Sequence, residues 1–319
     1  MEAHHDKIKT TVILANLGAP GQLHEVRPFL KNLFNDPDIF NFPFGKIGQD
    51  FFSSMIAYFR SIKSRKYYAA IGGGSPLHRN TVEQAEKLES ALKNEGNYKV
   101  VVVQRYWTPM IGDVINQLEL EENDRVIILP LYPHYSNTTT RSIFNEWNRH
   151  WKGRQQLIRI ERFYDHPIYI KACVEKIKSE LKKLPRPPHL LFSAHSIPLS
   201  YVNDGDPYQT EIENNMEMIM TELGGAYSFS LCYQSRVGPV KWLGPSFEDE
   251  VNRLLMKDKK DILIFPISFV SEHLETLYEL DMQKKAWAKK RGIKIYARAD
   301  TVQSSKLFIE TLKDLVLKI

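Results

Sequence analysis

Two short stretches carry side chains that could do acid–base or metal chemistry. The first is Ser193-Ala194-His195-Ser196-Ile197-Pro198, where a lone imidazole follows the apolar run Leu190–Phe192. Pro198 then stops the strand that this run predicts, which puts His195 at a strand's carboxyl end. The second is Ser271-Glu272-His273-Leu274-Glu275-Thr276-Leu277-Tyr278-Glu279, whose three glutamates lie three and four apart. That spacing places them on one helix face. An imidazole with carboxylates suits a borderline divalent ion such as Fe2+, and the same groups could instead accept and relay protons. Each stretch also has a purely structural reading. A histidine on an apolar strand is commonly a core residue, and acids behind Ser271 as N-cap suit a helix dipole. His195 departs from the first pattern because it ends its strand. The acidic row departs from the second because it starts at a buried strand end, Phe265-Pro266-Ile267-Ser268-Phe269. No HExxH motif or Cys/His cluster is present to support a zinc hydrolase.

The elements that must position these groups alternate along the chain. Strands are predicted at Thr11–Leu17, Lys99–Gln104, Arg125–Leu131, Leu157–Glu161, His189–Ala194, Tyr227–Leu231, Asp261–Ile267 and Ile293–Ala297. Helices are predicted at Val26–Phe34, Asn80–Leu92, Ile111–Leu120, Asn137–His150, Ile168–Leu181, Pro207–Leu223, Phe247–Met256, Glu272–Lys290 and Ser304–Lys318. This is the α/β pattern of parallel, doubly wound sheets. No internal repeat is visible, yet a second set beginning near Gln156 follows the same plan as the first. Two such domains would leave a cleft between them, lined by strand ends from both. Gly18-Ala19-Pro20-Gly21 breaks the first strand without a GxGxxG or GKS/GKT pattern, so a nucleotide site has little support. Ile71-Gly72-Gly73-Gly74-Ser75-Pro76 reads as a loop in which backbone takes positive φ or approaches a neighbour closely. In the aromatic-rich segment that follows Ile39, Ile47, Phe51, Met55 and Phe59 share one helix face. That face is either core or an exposed lip for a flat apolar ligand or a membrane interface. The basic residues Arg60, Lys63, Arg65 and Lys66 just behind it favour the lip.

Composition removes other classes. The chain has 319 residues, 43% hydrophobic and 25% charged, which accommodates two ordinary globular domains. Its two cysteines, Cys173 and Cys232, cannot supply four thiolates, and they make a reducing compartment the default. Met1–Thr10 is polar with no apolar signal core, and no run approaches the ~18 apolar residues of a spanning helix. A cytoplasmic location is expected, with peripheral contact at the inner membrane face as its extension. The net charge of +5 is mild, and the basic runs, including Lys284 to Lys294, carry no nucleic-acid motif.

Several separate motifs, taken together and in this order, resemble the ferrochelatase family, which inserts ferrous iron into porphyrin. They are Leu14 to Pro20 with Val26-Arg27-Pro28; Ile71 to Pro76; Arg105-Tyr106-Trp107; Leu129 to Pro133; Ser193 to Pro198; Gly205-Asp206-Pro207-Tyr208; Tyr233 to Pro239; and Ser268 to Leu277. The resemblance covers nearly the whole chain. It implies two Rossmann-like domains, each a parallel β-sheet flanked by helices, with the porphyrin in the interdomain cleft. The first would span 8–155 plus the C-terminal helix 300–319, with a hydrophobic lip at 39–62, and the second 156–299. It also implies that His195 and Glu275 are catalytic and meet the metal, and the mechanism expected for them has the two facing each other across the ring. Glu272, His273 and Glu279 would form a relay on a helix containing a π-turn. Arg105, Tyr106, Tyr132, Ser136 and Phe269 would bind substrate. Thr108, His134 and Arg141 depart from the residues common in the family at those positions. Some members hold a [2Fe-2S] cluster on four cysteines, which this chain cannot. The implied partners are a porphyrin, taken as protoporphyrin IX, and Fe2+ as substrate, with no permanently bound cofactor, no nucleic acid and a monomeric chain. The competing expectations are a non-catalytic porphyrin or haem carrier on the same fold, or a chelatase for coproporphyrin III, another tetrapyrrole or another metal.

Overall fold

The structure, a computed structural model, describes residues 8–40, 42–236, 238 and 240–319. The relative hydrogen-bonding partners of eight strands organise it. β1 (Thr10–Asn16), β2 (Tyr98–Gln104), β3 (Arg125–Pro130) and β4 (Gln156–Arg159) form one parallel sheet in the order β2-β1-β3-β4. β5 (His189–His195), β6 (Phe229–Gln234), β7 (Asp261–Phe265) and β8 (Ile295–Arg298) form a second in the order β6-β5-β7-β8. The two orders are identical when each half is counted from its own first strand, so the repeat that the residues conceal is present in the topology. Central strands read as unbroken apolar runs, Val12–Ala15, Val126–Leu129, Leu190–Phe192 and Ile262–Ile264, and all are buried. Helices on both faces of a parallel sheet demand that pattern.

One domain boundary is corrected. The strand expected to open the second domain, β4, pairs with β3 from Arg125↔Gln156 to Ile128↔Arg159 and so completes the first sheet. An alternating strand–helix string does not say which neighbour a strand chooses, and that choice is what sets the boundary. The chain crosses to the second half only with the helix Pro167–Leu181, which packs against the helices Tyr208–Leu223 and Lys306–Leu317. The C-terminal helix Lys306–Leu317 also lies on Leu77–Leu92 of the first half. A single apolar core therefore runs between the halves, from Leu14 and Leu88 through Ile170 and Phe308 to Phe192.

Two predicted helices differ. Ile111–Leu120 stops at Ile115, and the long helix expected from Glu272 begins only at Leu274. It runs as a π-helix over Glu275–Lys284 and then as an α-helix over Lys285–Arg291, ended by Gly292 at φ 108°.

The segment expected as a lip is a helix, Gly45–Ala70, and its burial inverts the usual pattern. The face turned inward carries Gly48, Ser53, Ala57, Ser61, Ser64 and Tyr68 and packs on the helix Val26–Phe34. Small residues allow that close approach, and at Gly48 the helix also meets the segment leading into it, where a Cβ would fall 1.8 Å from the Pro43 carbonyl oxygen. The apolar stripe faces out, with Ile47 85% exposed, Phe51 63% and Phe59 65%. The helix enters the molecule beside the triple-glycine loop, where Ser75 N–H donates to Pro20 O at 2.8 Å and a Cβ at Gly74 would fall 2.0 Å from Gly21 O.

Candidate active site

His195 is held by its own backbone. Its N–H donates to Ser268 Oγ at 3.0 Å and its carbonyl accepts from Tyr208 Oη at 3.0 Å. These bonds tie the end of β5 to the segment after β7 and to the helix Tyr208–Leu223. The ring nitrogen Nδ1 lies 2.6 Å from the Ser196 carbonyl oxygen. A carbonyl only accepts, so Nδ1 carries the proton and a neutral His195 presents the lone pair of Nε2. That tautomer is the one a proton acceptor requires.

The second motif leaves β7 and passes His195 closely, because β5 and β7 are neighbours in the sheet. Phe269 stands edge-on to both imidazoles, with ring centroids 6.4 Å from His195 and 4.2 Å from His273. His273 Nε2 is then 3.5 Å from Glu275 Oε2. Burial pushes His273 below the ordinary imidazole range, although Glu275 and Glu272 pull the other way. His273 is therefore neutral near pH 7. His195, Phe269, His273 and Glu275 make one continuous line, and all four belong to the second half. His195 and Glu275 are thus linked through Phe269 and His273.

The acidic row does not survive intact. Glu272 precedes the helix and turns away to Arg298 at 3.0 Å, with Thr301 N–H and Oγ1 donating to the same oxygen at 2.9 and 3.0 Å. Burial raises the Glu272 carboxyl, but Arg298 and the bonds from Thr276 and Thr301 outweigh it and hold it below its usual range. Ser271 is no N-cap; its hydroxyl accepts from Gln84 Nε2 of the first half at 3.1 Å. Glu279 accepts from Ser235 N–H at 3.0 Å and Ser235 Oγ at 2.5 Å, and Lys284 lies 3.7 Å away. Glu272 Oε1 and both oxygens of Glu279 are thus taken by the protein, and Glu275 is the carboxylate beside a histidine. Its backbone oxygen is held by Gln234 Nε2 at 3.3 Å, and Gln234 is in turn fixed by Ser193 Oγ at 2.6 Å. Among the described residues no three His, Cys, Asp or Glu side chains converge as a resident metal cage needs.

The first half closes on this line through the lip helix. Tyr67 stacks on Tyr278 with centroids 4.3 Å apart, and Leu274 packs into the cluster of Tyr68, Tyr106 and Trp107. Burial, and then the Glu275 charge, raises the Tyr68 hydroxyl well above its ordinary range. Sequence reasoning missed Tyr68, since nothing in its spacing separates it from its neighbours. It missed Arg298 for the same reason.

Three residues expected to bind substrate are engaged with the protein. Arg105 Nη2 pairs with Asp36 at 3.0 Å and Glu146 at 3.4 Å, and its Nε donates to Ser142 Oγ at 2.9 Å. Tyr106 Oη donates to Asp36 Oδ2 at 2.6 Å. Ser136 Oγ donates to Asp206 Oδ2 at 3.0 Å, bridging the halves. These polar groups brace the wall because buried polar atoms must find partners. Tyr132 differs: among the described residues its buried hydroxyl has no partner. His134 is buried against Tyr164 and Tyr208, with Nε2 3.2 Å from Asn215 Oδ1.

Comparison with known proteins gives the family. The family model described as Ferrochelatase matches residues 9–319. A protein named Ferrochelatase from Aquifex aeolicus is 46% identical over 97% of this chain and 99% of its own. The chain belongs to the ferrochelatase family. Another ferrochelatase, from Geotalea daltonii, is 43% identical over 97% of both chains. Among solved structures, Bacillus subtilis SirB with Fe3+ aligns over 98% of this chain and 95% of its own, with a TM-score of 0.56 at 10% identity. CbiX, described as the terminal enzyme for siroheme biosynthesis in denitrifying bacteria, aligns over 97% of this chain and 99% of its own, with a TM-score of 0.51 at 12% identity. At those identities the likeness is one of fold. In this ferrochelatase-family chain the histidine and glutamate that carried the resemblance, His195 and Glu275, are the pair the fold brings to one line.

Proposed function

We propose that this protein inserts Fe2+ into a porphyrin to form haem, with His195 and Glu275 as the groups that move protons and meet the metal. The observation that carries the roles is the run of contacts from His195 to Phe269, from Phe269 to His273 and from His273 to Glu275. Metallation must strip the two pyrrole N–H protons while the ion arrives. His195 Nε2, with Nδ1 already committed to Ser196 O, can take a proton and become a stabilised cation. Glu275, beside neutral His273, can accept a proton or hold the ion. Glu279 and Glu272 serve as supports, and His273 as a relay to Glu275. Phe269 and Tyr132 offer the ring an apolar edge and a hydroxyl. Iron is substrate here, and no cofactor is retained. Cys173 and Cys232 are both buried, and burial pushes the Cys173 thiol up to about 12, which disfavours thiolate ligation.

The exposed stripe Ile47, Phe51, Met55 and Phe59 favours protoporphyrin IX over a more carboxylated ring, and a lip seated peripherally at the inner face of a membrane. No helix among the described residues is long and apolar enough to cross a membrane. The active unit is taken as a monomer.

Replacing His195 by Ala tests the reading. Iron insertion should fall roughly 10²- to 10⁴-fold, the scale of a lost general base, while porphyrin fluorescence titration remains near the parent. Glu275→Gln should depress the rate and change its dependence on iron concentration. Near-normal turnover in either variant removes that residue from the mechanism. A stoichiometric fluorescence change without turnover in the parent protein would instead identify a carrier.

A further inference from the structure

A π-helix makes poorer internal contacts than an α-helix and persists where its surroundings over-determine it. In this protein a large part of that determination comes from β8, the edge strand of the second sheet. Tyr296 and Arg298 lie two residues apart and so project from one face of β8. Tyr296 Oη donates to the Leu280 carbonyl at 2.7 Å. Arg298 Nε and Nη2 donate to Asp281 Oδ1 and Oδ2, both at 2.8 Å, and Nη1 donates to Glu272 Oε1 at 3.0 Å. One guanidinium therefore grips a residue just before the π-helix and a residue within it. Glu275 lies between those two grips.

We propose that Arg298 is a positioning residue for the reaction: by clasping Glu272 and Asp281 together it fixes the winding of the segment between them and so the placement of Glu275. An α-helix advances about 100° per residue, and a helix closed by bonds to the fifth residue advances less. Reverting to α geometry would turn Glu275 relative to Asp281, and a guanidinium anchored at both ends permits one winding only. The fork geometry matters as well as the charge, because both carboxylate oxygens of Asp281 are used. The proposal rests on Glu275 acting in the reaction.

The test uses the full-length protein and three variants. In Arg298→Met, amide exchange across 275–284 should accelerate roughly tenfold or more, reporting local opening. Turnover should fall roughly 10- to 100-fold, the usual consequence of losing a partner that orients a working group. Porphyrin affinity should stay within about twofold, which separates loss of placement from loss of the pocket. Arg298→Lys should recover part of both effects, keeping the charge but losing the fork. Asp281→Asn should move exchange and turnover in the same direction by less. Its side chain is 34% exposed and the Glu272–Arg298 pair stays intact, so it carries the test if Arg298→Met does not fold. Parent-like exchange in the Met variant, or in the Asn variant where only that one folds, overturns the clasp whatever Glu275 does. Parent-like turnover in Glu275→Gln overturns the role given to Glu275 and with it the functional half of the proposal, even if exchange in Arg298→Met rises.

Discussion

Arg105 decides whether the wall beneath the lip is a brace or a substrate contact, and replacing it with Met tests this. In the folded protein its guanidinium meets Asp36 at 3.0 Å, Glu146 at 3.4 Å and Asp38 at 4.0 Å. Asp36 is fully buried at its carboxylate and would keep its bonds from Tyr106 Oη and Ser142 Oγ, both 2.6 Å. Two hydrogen bonds do not neutralise a buried charge. Removing one partner of such a pair costs about 3–5 kcal/mol. Arg105→Met should therefore lower the chemical-denaturation midpoint strongly while porphyrin affinity changes less than about threefold. The double variant with Asp36→Asn should recover part of the loss, because the stranded charge has gone, with a coupling energy of up to about 3 kcal/mol. Unfolding and porphyrin titration of the four proteins in the cycle complete the measurement. An unchanged midpoint combined with a tenfold loss of porphyrin affinity would refute the reasoning and return Arg105 to the substrate.

Two further outcomes are expected. Phe51→Ser with Phe59→Ser should leave folding stability nearly unchanged, since both rings are already about two-thirds in solvent at 63% and 65%. The apolar area they expose is worth on the order of 3 kcal/mol each if a bilayer covers it. Sedimentation with anionic vesicles should weaken accordingly, and equal binding by parent and variant would remove the lip from the membrane. For His134, burial lowers the imidazole from 6.5 to about 3. The unfolded chain then binds more protons between those values, so stability rises with pH there and is lost as pH falls below about 6.5. Between pH 7 and pH 5 this group contributes a loss of about 2 kcal/mol. His134→Gln should flatten the pH dependence of the unfolding free energy by that amount; curves of equal slope would show that His134 does not titrate on unfolding.

The sequence alone determined the alternating strands and helices, because buried parallel strands must be continuous apolar runs and surface helices must be amphipathic. It also singled out His195, since a polar ring ending such a run is conspicuous, and Glu275, through the motif around it. The lip could be read as core or as surface, because a face of Ile47, Phe51, Met55 and Phe59 has the same spacing either way. The small residues opposite it decided the matter only once the helix Val26–Phe34 was in place against them. Partner choice belongs to the tertiary structure throughout. β4 chose β3, Glu272 left its row for Arg298, Arg105 turned to Asp36, and His195 came against Phe269. These contacts join residues remote in the chain or turned out of their expected register. Spacing along a chain encodes which face a side chain occupies, and folding alone supplies the charge or hydroxyl that face will meet.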